Sequence, residues 1–350
     1  MKLRYRDFET ALGVSAVVAD TAVVIGRLAA GDHLTLRAYA ALRADGEHIR
    51  VGSDVYFGEH ATAHIVDARI GTAVGDAVTV GRYGVVHACK VADHVVVGES
   101  AAIMDEASVG PYAVIGADSI VPPGKKLAGG WLYAGLPAQP VREISPDEAS
   151  AMARSIRNGA AAAGVCSSVL QPSSLNAPME RDDRPRAASA VRSPSSYVAP
   201  TARVSGNVLL ADDAGIYFGC VVDAGDGRIV IGPRTNVQDN SFLLTTRQRG
   251  NLVLGTGVTI GHNVQMGSGT FGDDCLVGMM SRVGDGVTVE AGGCIGAGAW
   301  VEAGSVIKAG WIWAGRPARP FREVRPDERV EFARGRDVYV GYGAAYRAGG

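Results

Sequence analysis

Seven histidines are the residues of this 350-residue chain best suited to hold a metal ion: His33, His48, His60, His64, His87, His94 and His262. One of them, His262, lies in the segment "VTIGHNVQMGSG" at 258–269, which resembles a metal-binding turn but offers no second ligand after the histidine. A lone histidine on a strand is usually a hydrogen-bonded or surface residue. The position of each histidine in the whole chain therefore decides how it is interpreted.

A tandem repeat relates the two halves of the chain. The segment "GGWLYAGLPAQPVREISPDE" at 129–148 recurs as "AGWIWAGRPARPFREVRPDE" at 309–328, an offset of 180 residues. Between the halves lies a stretch rich in Ala, Ser, Pro and Arg, a composition typical of a flexible linker. The repeat predicts three parts: a domain at 1–157, a linker at 158–193 and a second domain at 194–350.

The offset pairs three histidines with residues that differ in the other half: His64 with Leu244, His262 with Arg82, and His87 with Gly267. Each position carries histidine in one half only, and no position has lost it in both. The 18-residue separation of His64 and Arg82 further predicts that they stack on adjacent rungs of one face.

Aliphatic residues recur every six positions in both halves, at Val85, Val91, Val97, Ile103, Val109, Ile115, Val121 and Leu127, and at Phe271, Val277, Val283, Val289, Ile295, Val301 and Ile307. Six residues scatter side chains around a helix but keep them on one face of extended strands. Short strands separated by turns, with one inward aliphatic residue per six, indicate a parallel β-helix. The segments "SPDEASAMARSIR" and "RPDERVEFARGRD" each predict a closing α-helix, the first with Ser145 as N-cap and Pro146 at its first position.

Bulk composition excludes several classes of protein. The net charge of −2 does not favour nucleic acid or an anionic membrane surface as a partner. The opening "MKLRYRDFETALG" lacks the apolar run of a signal peptide, and no stretch reaches the roughly 18 apolar residues of a membrane span, so we expect a cytoplasmic protein. Five scattered cysteines without a CxxC pair predict neither a disulfide framework nor a four-cysteine zinc site.

Three motifs carry a resemblance to a known family: "RTNVQDNSFLL", "VTIGHNV" and "WIWAGRPARPFRE" resemble those of the gamma-class carbonic anhydrases. The resemblance implies an all-β fold of two left-handed parallel β-helix domains of hexapeptide repeats in tandem. Members of this family are trimers whose metal lies between subunits. Carried over to this chain, it implies a metal site of His64 and His87 from one half and His262 from the other.

The same resemblance identifies residues around the metal. Arg43 and Asp45 match an interface Arg and Asp of the family, and the "TNVQD" motif supplies Asn236, Gln238 and Asp239, of which the Asn and Gln lie near the metal-bound solvent in family members. Glu59, five residues before His64, is a possible proton shuttle. Two simpler interpretations remain open: Arg43 and Asp45 as a salt bridge at an oligomer face, and Asn236 as a turn residue.

Three neutral imidazoles with an open position are typical of catalytic rather than structural zinc, although Fe2+ and Co2+ also suit imidazole. Ligation lowers the pKa of bound water to about 7, and the resulting hydroxide could add to carbon dioxide or, in reverse, support dehydration. The resemblance thus implies a Zn2+-dependent lyase, in a homo-oligomer (dimer or trimer), acting on carbon dioxide, bicarbonate or a small organic acid. Bulky residues near the site predict a pocket reshaped for a larger substrate and a specialised hydration, dehydration or cyclisation: Tyr56, Phe57, Phe242, Leu243 and Leu244.

Two other functional classes share the hexapeptide fold. In a hexapeptide-repeat acyltransferase, His87 or His262 alone could act as the base that deprotonates an acceptor. In a non-catalytic structural or assembly protein, the histidines would be relics and no metal would bind.

Overall fold

The computed structural model describes residues 1–3, 5–159 and 190–349. Two compact units form, one on each side of residues 160–189. The predicted linker at 158–193 falls mostly on these residues and so lies outside the described part of the chain, and its boundaries stay a prediction.

The first unit is built from short strands, most of two or three residues: β1 Lys2–Leu3, β2 Thr10–Leu12, β3 Val17–Val18, β4 Val23–Ala30, β5 Thr35–Leu36, β6 Ala41–Val51, β7 Tyr56–Phe57, β8 Thr62–His64, β9 Thr72–Val74, β10 Thr79–Val80, β11 Val85–His87, β12 Lys90–Val91, β13 Val96–Val97, β14 Ala102–Ile103, β15 Ser108–Val109, β16 Val114–Ile115, β17 Ile120–Val121, β18 Lys126–Leu127, β19 Trp131–Gly135 and β20 Ala138–Glu143.

The second unit has the same construction: β21 Val191–Arg192, β22 Tyr197–Val198, β23 Arg203–Ser205, β24 Val208–Leu210, β25 Gly215–Ile216, β26 Val221–Asp223, β27 Ile229–Ile231, β28 Asn236–Val237, β29 Phe242–Leu244, β30 Leu252–Leu254, β31 Thr259–Ile260, β32 Gln265–Met266, β33 Gly269–Phe271, β34 Leu276–Val277, β35 Arg282–Val283, β36 Val287–Val289, β37 Cys294–Ile295, β38 Trp300–Val301, β39 Val306–Ile307, β40 Trp311–Gly315 and β41 Ala318–Glu323.

From β7 onward in the first unit, and throughout the coils of the second, each strand pairs in parallel with the strand three places further along the chain. The order β7–β10–β13–β16–β19 in the first unit and β25–β28–β31–β34–β37–β40 in the second shows this clearly. Three strands therefore complete one coil, and Val96 lies opposite Val114, one coil of 18 residues later. The predicted parallel β-helix is confirmed in both units. An antiparallel hairpin, β19–β20 or β40–β41, closes each stack.

The six-residue aliphatic pattern lines the interior of each unit. Val91 through Leu127 in the first half and Phe271 through Ile307 in the second all belong to the buried cores, as predicted. Val85 is the exception, because Val86 takes the inward position on β11. Burying a valine or isoleucine contributes roughly 1.5–3 kcal/mol, so each coil is stabilised by the residues it presses against the next.

The corners between strands repeat a left-handed backbone residue every six positions, as at His94, Ser100 and Glu106. Aromatic side chains at the corners of successive coils stack on one another along the axis of the β-helix. His60 lies between Tyr39 and Tyr83 at centroid distances of 4.8 and 4.9 Å, and His94 stacks on Tyr112 at 4.5 Å. His60 and His94 are therefore accounted for by packing.

Two helices follow the hairpins: α1 at Pro146–Arg157 and α2 at Pro326–Gly349. Ser145 caps α1 as predicted, its hydroxyl accepting a hydrogen bond from the amide of Glu148 at 3.2 Å. Helix α2 continues to Gly349, well past the predicted end at residue 337. Tyr339, Tyr342 and Tyr346 recur at helical spacing and are buried, which supplies the apolar face that stabilises the extra turns.

Within the described ranges, no helix has both the length and the apolar character needed to cross a membrane. In the same ranges, Cys89, Cys220, Cys275 and Cys294 are buried and form no disulfide, and Cys166 lies outside them. Burial raises the pKa of the Cys275 and Cys294 thiols to about 12, so these sulfurs are unreactive packing residues.

Candidate metal centre

In the first unit, two histidines lie side by side on neighbouring strands. His64 ends β8 and His87 ends β11, and the two residues are paired in the sheet register. Nδ1 of His64 lies 3.3 Å from Nε2 of His87, and both side chains are buried. Two nitrogens bound to a tetrahedral zinc at about 2.0–2.1 Å lie about 3.4 Å apart, so the pair has a separation that suits one metal ion.

The predicted stacking of His64 over Arg82 is wrong. The coil that joins His64 to His87 has 23 residues instead of 18, because it includes a loop closed by a bridge between Val66 and Ile70. The five added residues move Arg82 to the corner after β10, where its guanidinium forms two hydrogen bonds of 2.9 and 3.1 Å with Glu99. The loop is what brings the two histidines into register.

Asp105 holds the ring of His87. Its Oδ1 lies 2.5 Å from Nδ1 of His87, which leaves Nε2 of the ring on the side of His64. A carboxylate on one imidazole nitrogen fixes the ring and makes the other nitrogen a better metal ligand. The sequence interpretation missed Asp105, although its position 18 residues after His87 was a usable signal.

Arg43 and Asp45 form an ion pair on β6 in which both side chains are fully buried. Oδ2 of Asp45 also lies 4.0 Å from Nε2 of His64. The pair thus adjoins the histidine cluster from within the same unit, and its predicted role at an interface stays a prediction.

In the second unit, a buried carboxylate accompanies the remaining histidine. Nδ1 of His262 lies 3.2 Å from Oδ2 of Asp239, and neither side chain is exposed. On the other side of the ring, the hydroxyl of Tyr339 from α2 lies 3.2 Å from Nε2. The repeat could not reveal Tyr339, because the equivalent residue of the first half is Gly159. The only available signal was the helical spacing of Tyr339, Tyr342 and Tyr346.

Two amides form a fixed chain near the start of the same coil. Nε2 of Gln238 donates to Oδ1 of Asn236 at 3.2 Å, and Nδ2 of Asn236 donates to the hydroxyl of Thr259 at 2.9 Å. Asn236 lies in strand β28, so its interpretation as a turn residue is wrong. The proposed contact of these amides with a reacting oxygen stays a prediction.

Glu59 lies at a corner of the first unit, where Oε1 accepts a hydrogen bond from Nε of Arg37 at 3.0 Å. Its side chain is 32% exposed, so it can exchange protons with solvent, and the shuttle role stays a prediction. Among the bulky residues predicted to reshape a pocket, Phe57 and Leu243 are wrong, because both point into the solenoid cores. Side chains alternate along a strand, so Tyr56, Phe242 and Leu244 face outward instead.

The predicted ligands divide between the two units: His64 and His87 lie in the first and His262 in the second, and all three residues are buried. That the three bind one ion stays a prediction. Buried imidazoles each offering one nitrogen are a donor set that suits zinc and similar divalent ions.

In the second unit, Gly267 lies at the position equivalent to His87, and an ion pair lies beside it. Asp285, the equivalent of Asp105, accepts two hydrogen bonds from Nε of Arg249 at 2.8 and 3.1 Å. A Cβ atom added at Gly267 would lie 2.1 Å from Oδ1 of Asp285 and 2.6 Å from Nη2 of Arg249. The guanidinium therefore occupies the space that a histidine at this position would need.

No protein-family model matches the chain. Over 154 residues the chain is 39% identical to a carbonic anhydrase of Geobacillus kaustophilus (strain HTA426), a match covering 44% of this chain and 84% of that protein. Over 142 residues it is 32% identical to the mitochondrial gamma carbonic anhydrase 1 of Arabidopsis thaliana, covering 39% of this chain. The match covers 51% of the plant protein, so the chain spans about half the length of this relative.

Among solved structures, a putative acetyltransferase from Desulfovibrio desulfuricans G20 aligns with a TM-score of 0.58 over 98% of this chain and 84% of that one. The two sequences are 13% identical. This likeness shows the shared fold and carries no information about activity.

Proposed function

We propose that this chain, which belongs to the gamma carbonic anhydrase family, is a metal-dependent lyase. The observation that carries the proposal is the buried pair of His64 and His87, whose facing nitrogens lie 3.3 Å apart. The first half contributes His64 and His87 and the second half contributes His262, so the chain holds one complete ligand set in place of two.

Zinc is the metal we propose, with Fe2+ or Co2+ as alternatives that imidazole ligands also accept. The residues fit such an ion by donor type, burial and the 3.3 Å spacing of the His64 and His87 nitrogens. When bound by three imidazoles, zinc lowers the pKa of a coordinated water to about 7.

The protein's own contribution is to fix the groups around that ion. Asp105 holds the ring of His87 by its Nδ1 atom, so that ring presents Nε2 toward His64. In the second unit, Oδ2 of Asp239 places a buried carboxylate 3.2 Å from Nδ1 of His262. Thr259 and Asn236 immobilise the amide of Gln238, which can then orient a reacting oxygen without reorganising. Burial of these groups excludes bulk water, which strengthens each hydrogen bond and charge interaction.

Carbon dioxide and bicarbonate are the substrates we propose first. Phe242 supports a second candidate, a hydration, dehydration or cyclisation of a small organic molecule. Phe242 faces outward from β29, the strand that also carries Leu244, the residue equivalent to His64. The side chain of Phe242 is nevertheless only 2% exposed, so a bulky apolar group lies buried close to that position. The homo-oligomeric state and the cytoplasmic location remain predictions.

Stopped-flow measurement of carbon dioxide hydration, on protein whose metal content is determined in parallel, tests the proposal. We expect hydration activity that rises in proportion to bound metal. Bound metal without hydration would point to the specialised reaction. Metal-free protein that transfers an acyl group from acyl-CoA would overturn the proposal in favour of an acyltransferase, and metal-free protein without either activity would favour a structural role.

Replacing Asp105 with Asn is expected to weaken metal binding by about 10- to 100-fold, because the His87 ring loses the carboxylate that fixes it. Competition with a chromogenic chelator measures the change. The second half offers a matched control: Asp285→Asn removes the equivalent carboxylate, which pairs with Arg249 and not with a ligand, and should leave metal affinity unchanged. Equal effects from both substitutions would contradict the role assigned to Asp105.

A further inference from the structure

The two closing helices pack on their units through equivalent apolar contacts. Helix α1 places Met152 in a cluster with Val96, Val114 and Leu132, and α2 places Phe332 against Leu276, Cys294 and Ile312. Every one of these positions is related to its counterpart by the 180-residue repeat. Apolar packing is therefore common to both helices and does not explain what is particular to α2.

Each helix also contacts its solenoid at an equivalent corner, but the two contacts differ in kind. In the first unit, Nη2 of Arg157 donates to the backbone oxygen of Asp54 at 2.8 Å. In the second unit, the same two positions hold Asp337 and Arg234, with Nη2 of Arg234 donating to Oδ1 of Asp337 at 2.7 Å. The ion pair between these two positions is therefore particular to α2.

The second unit extends this pair into a chain of four charges. Arg336, equivalent to Ile156, donates from Nε to Oδ1 of Asp337 at 2.8 Å and also pairs with Asp274. Arg234 and Asp274 lie at corners of different coils, so α2 is held to the solenoid at two points. Arg336 and Asp337 immediately precede the residues of α2 that α1 lacks.

Tyr339 follows this cluster by two residues, and its hydroxyl lies 3.2 Å from Nε2 of His262. The backbone oxygen of Tyr339 accepts a hydrogen bond from the hydroxyl of Tyr217. We infer that Arg234, Asp274, Arg336 and Asp337 are positioning residues: their ion cluster clamps the middle of α2 so that Tyr339 is placed on His262. The inference rests on contacts within the second unit and does not depend on the proposed activity.

The test uses full-length, metal-free protein with isotope-labelled histidine. The NMR resonances of the His262 ring are assigned by their loss in His262→Ala. The Tyr339→Phe variant gives the chemical shifts of these resonances when the Tyr339 hydroxyl is absent. Asp337→Arg places two guanidinium groups together, and we expect the His262 resonances to move toward their position in Tyr339→Phe. Amide exchange in α2 beyond residue 334 should rise by about fivefold, the scale of losing an exposed ion pair and adding a repulsion.

Rescue provides the decisive comparison. The double variant Arg234→Asp/Asp337→Arg restores opposite charges at these two positions, and should return the His262 resonances and the exchange rates to those of the parent protein. In the first unit, Arg157→Asp is the matched control and should leave His262 unchanged. A His262 signal that does not move in Asp337→Arg, or that is not restored in a folded double variant, would overturn the inference. Because no metal or substrate is used, such a failure is separate from a failure of the proposed function.

Discussion

Alanine in place of any one of His64, His87 or His262 is expected to abolish stoichiometric metal in the purified protein. Structural zinc sites with four ligands bind with roughly 10–16 kcal/mol, or about 3 kcal/mol for each ligand, so losing one of three histidines should weaken binding by roughly a hundredfold or more. Elemental analysis after gel filtration measures the loss. Carbon dioxide hydration should fall with the metal content in all three variants.

His94→Ala is the matched control for these substitutions. His94 belongs to the same unit as His64 and His87, but its ring stacks on Tyr112 at a corner of the coil. The variant should keep its metal and its activity while losing some stability. Retention of full metal content in even one of the three ligand variants would show that the ion is held elsewhere, and the proposed site would be wrong.

The β-helix was predictable because the same six-residue spacing of inward aliphatic residues repeats along both halves of the chain. Aliphatic residues every six positions, as at Val97 and Ile103, lie on one face of extended strands, and stacking the coils buries them together. The repeat offset was informative together with the resemblance to the gamma-class carbonic anhydrases: the resemblance implied the ligand positions, and the offset showed that they divide between the two halves.

Irregular features of the chain escaped the same reasoning. The loop between Val66 and Ile70 lengthens one coil to 23 residues, and counting in sixes cannot anticipate which strands such a loop brings into register. Asp105 could have been found by counting one regular coil of 18 residues from His87, once His87 is taken as a ligand. Tyr339 does not, because a helix packed across a solenoid has no fixed relation to the repeat of the strands beneath it.

Arg249 shows why the second half cannot be interpreted as a damaged copy. Loss of a histidine at position 267 would have left Asp285 without its imidazole partner, and the Arg249 guanidinium now supplies a cation there. A histidine at Gly267 would require both Asp285 and the Arg249 guanidinium to move from their present ion pair.

Arg43→Met is expected to destabilise the protein by about 3–5 kcal/mol, the typical cost of leaving one member of a buried ion pair without its counter-charge. Both side chains of the Arg43–Asp45 pair are fully buried on the long strand β6, so water cannot solvate the carboxylate that remains. Urea unfolding measures the change as a lower transition midpoint. An unchanged midpoint would contradict a structural role for the pair.

The double variant Arg43→Met/Asp45→Leu separates folding from site chemistry. Replacing both charges with apolar groups removes the uncompensated carboxylate, so we expect it to recover at least half of the stability lost in Arg43→Met. Asp45 also lies 4.0 Å from Nε2 of His64, and the double variant lacks that neighbour. If the double variant is stable but binds metal more weakly, the ion pair is kept for the charge that it places beside His64. If it binds metal normally, the pair serves the packing of β6 alone.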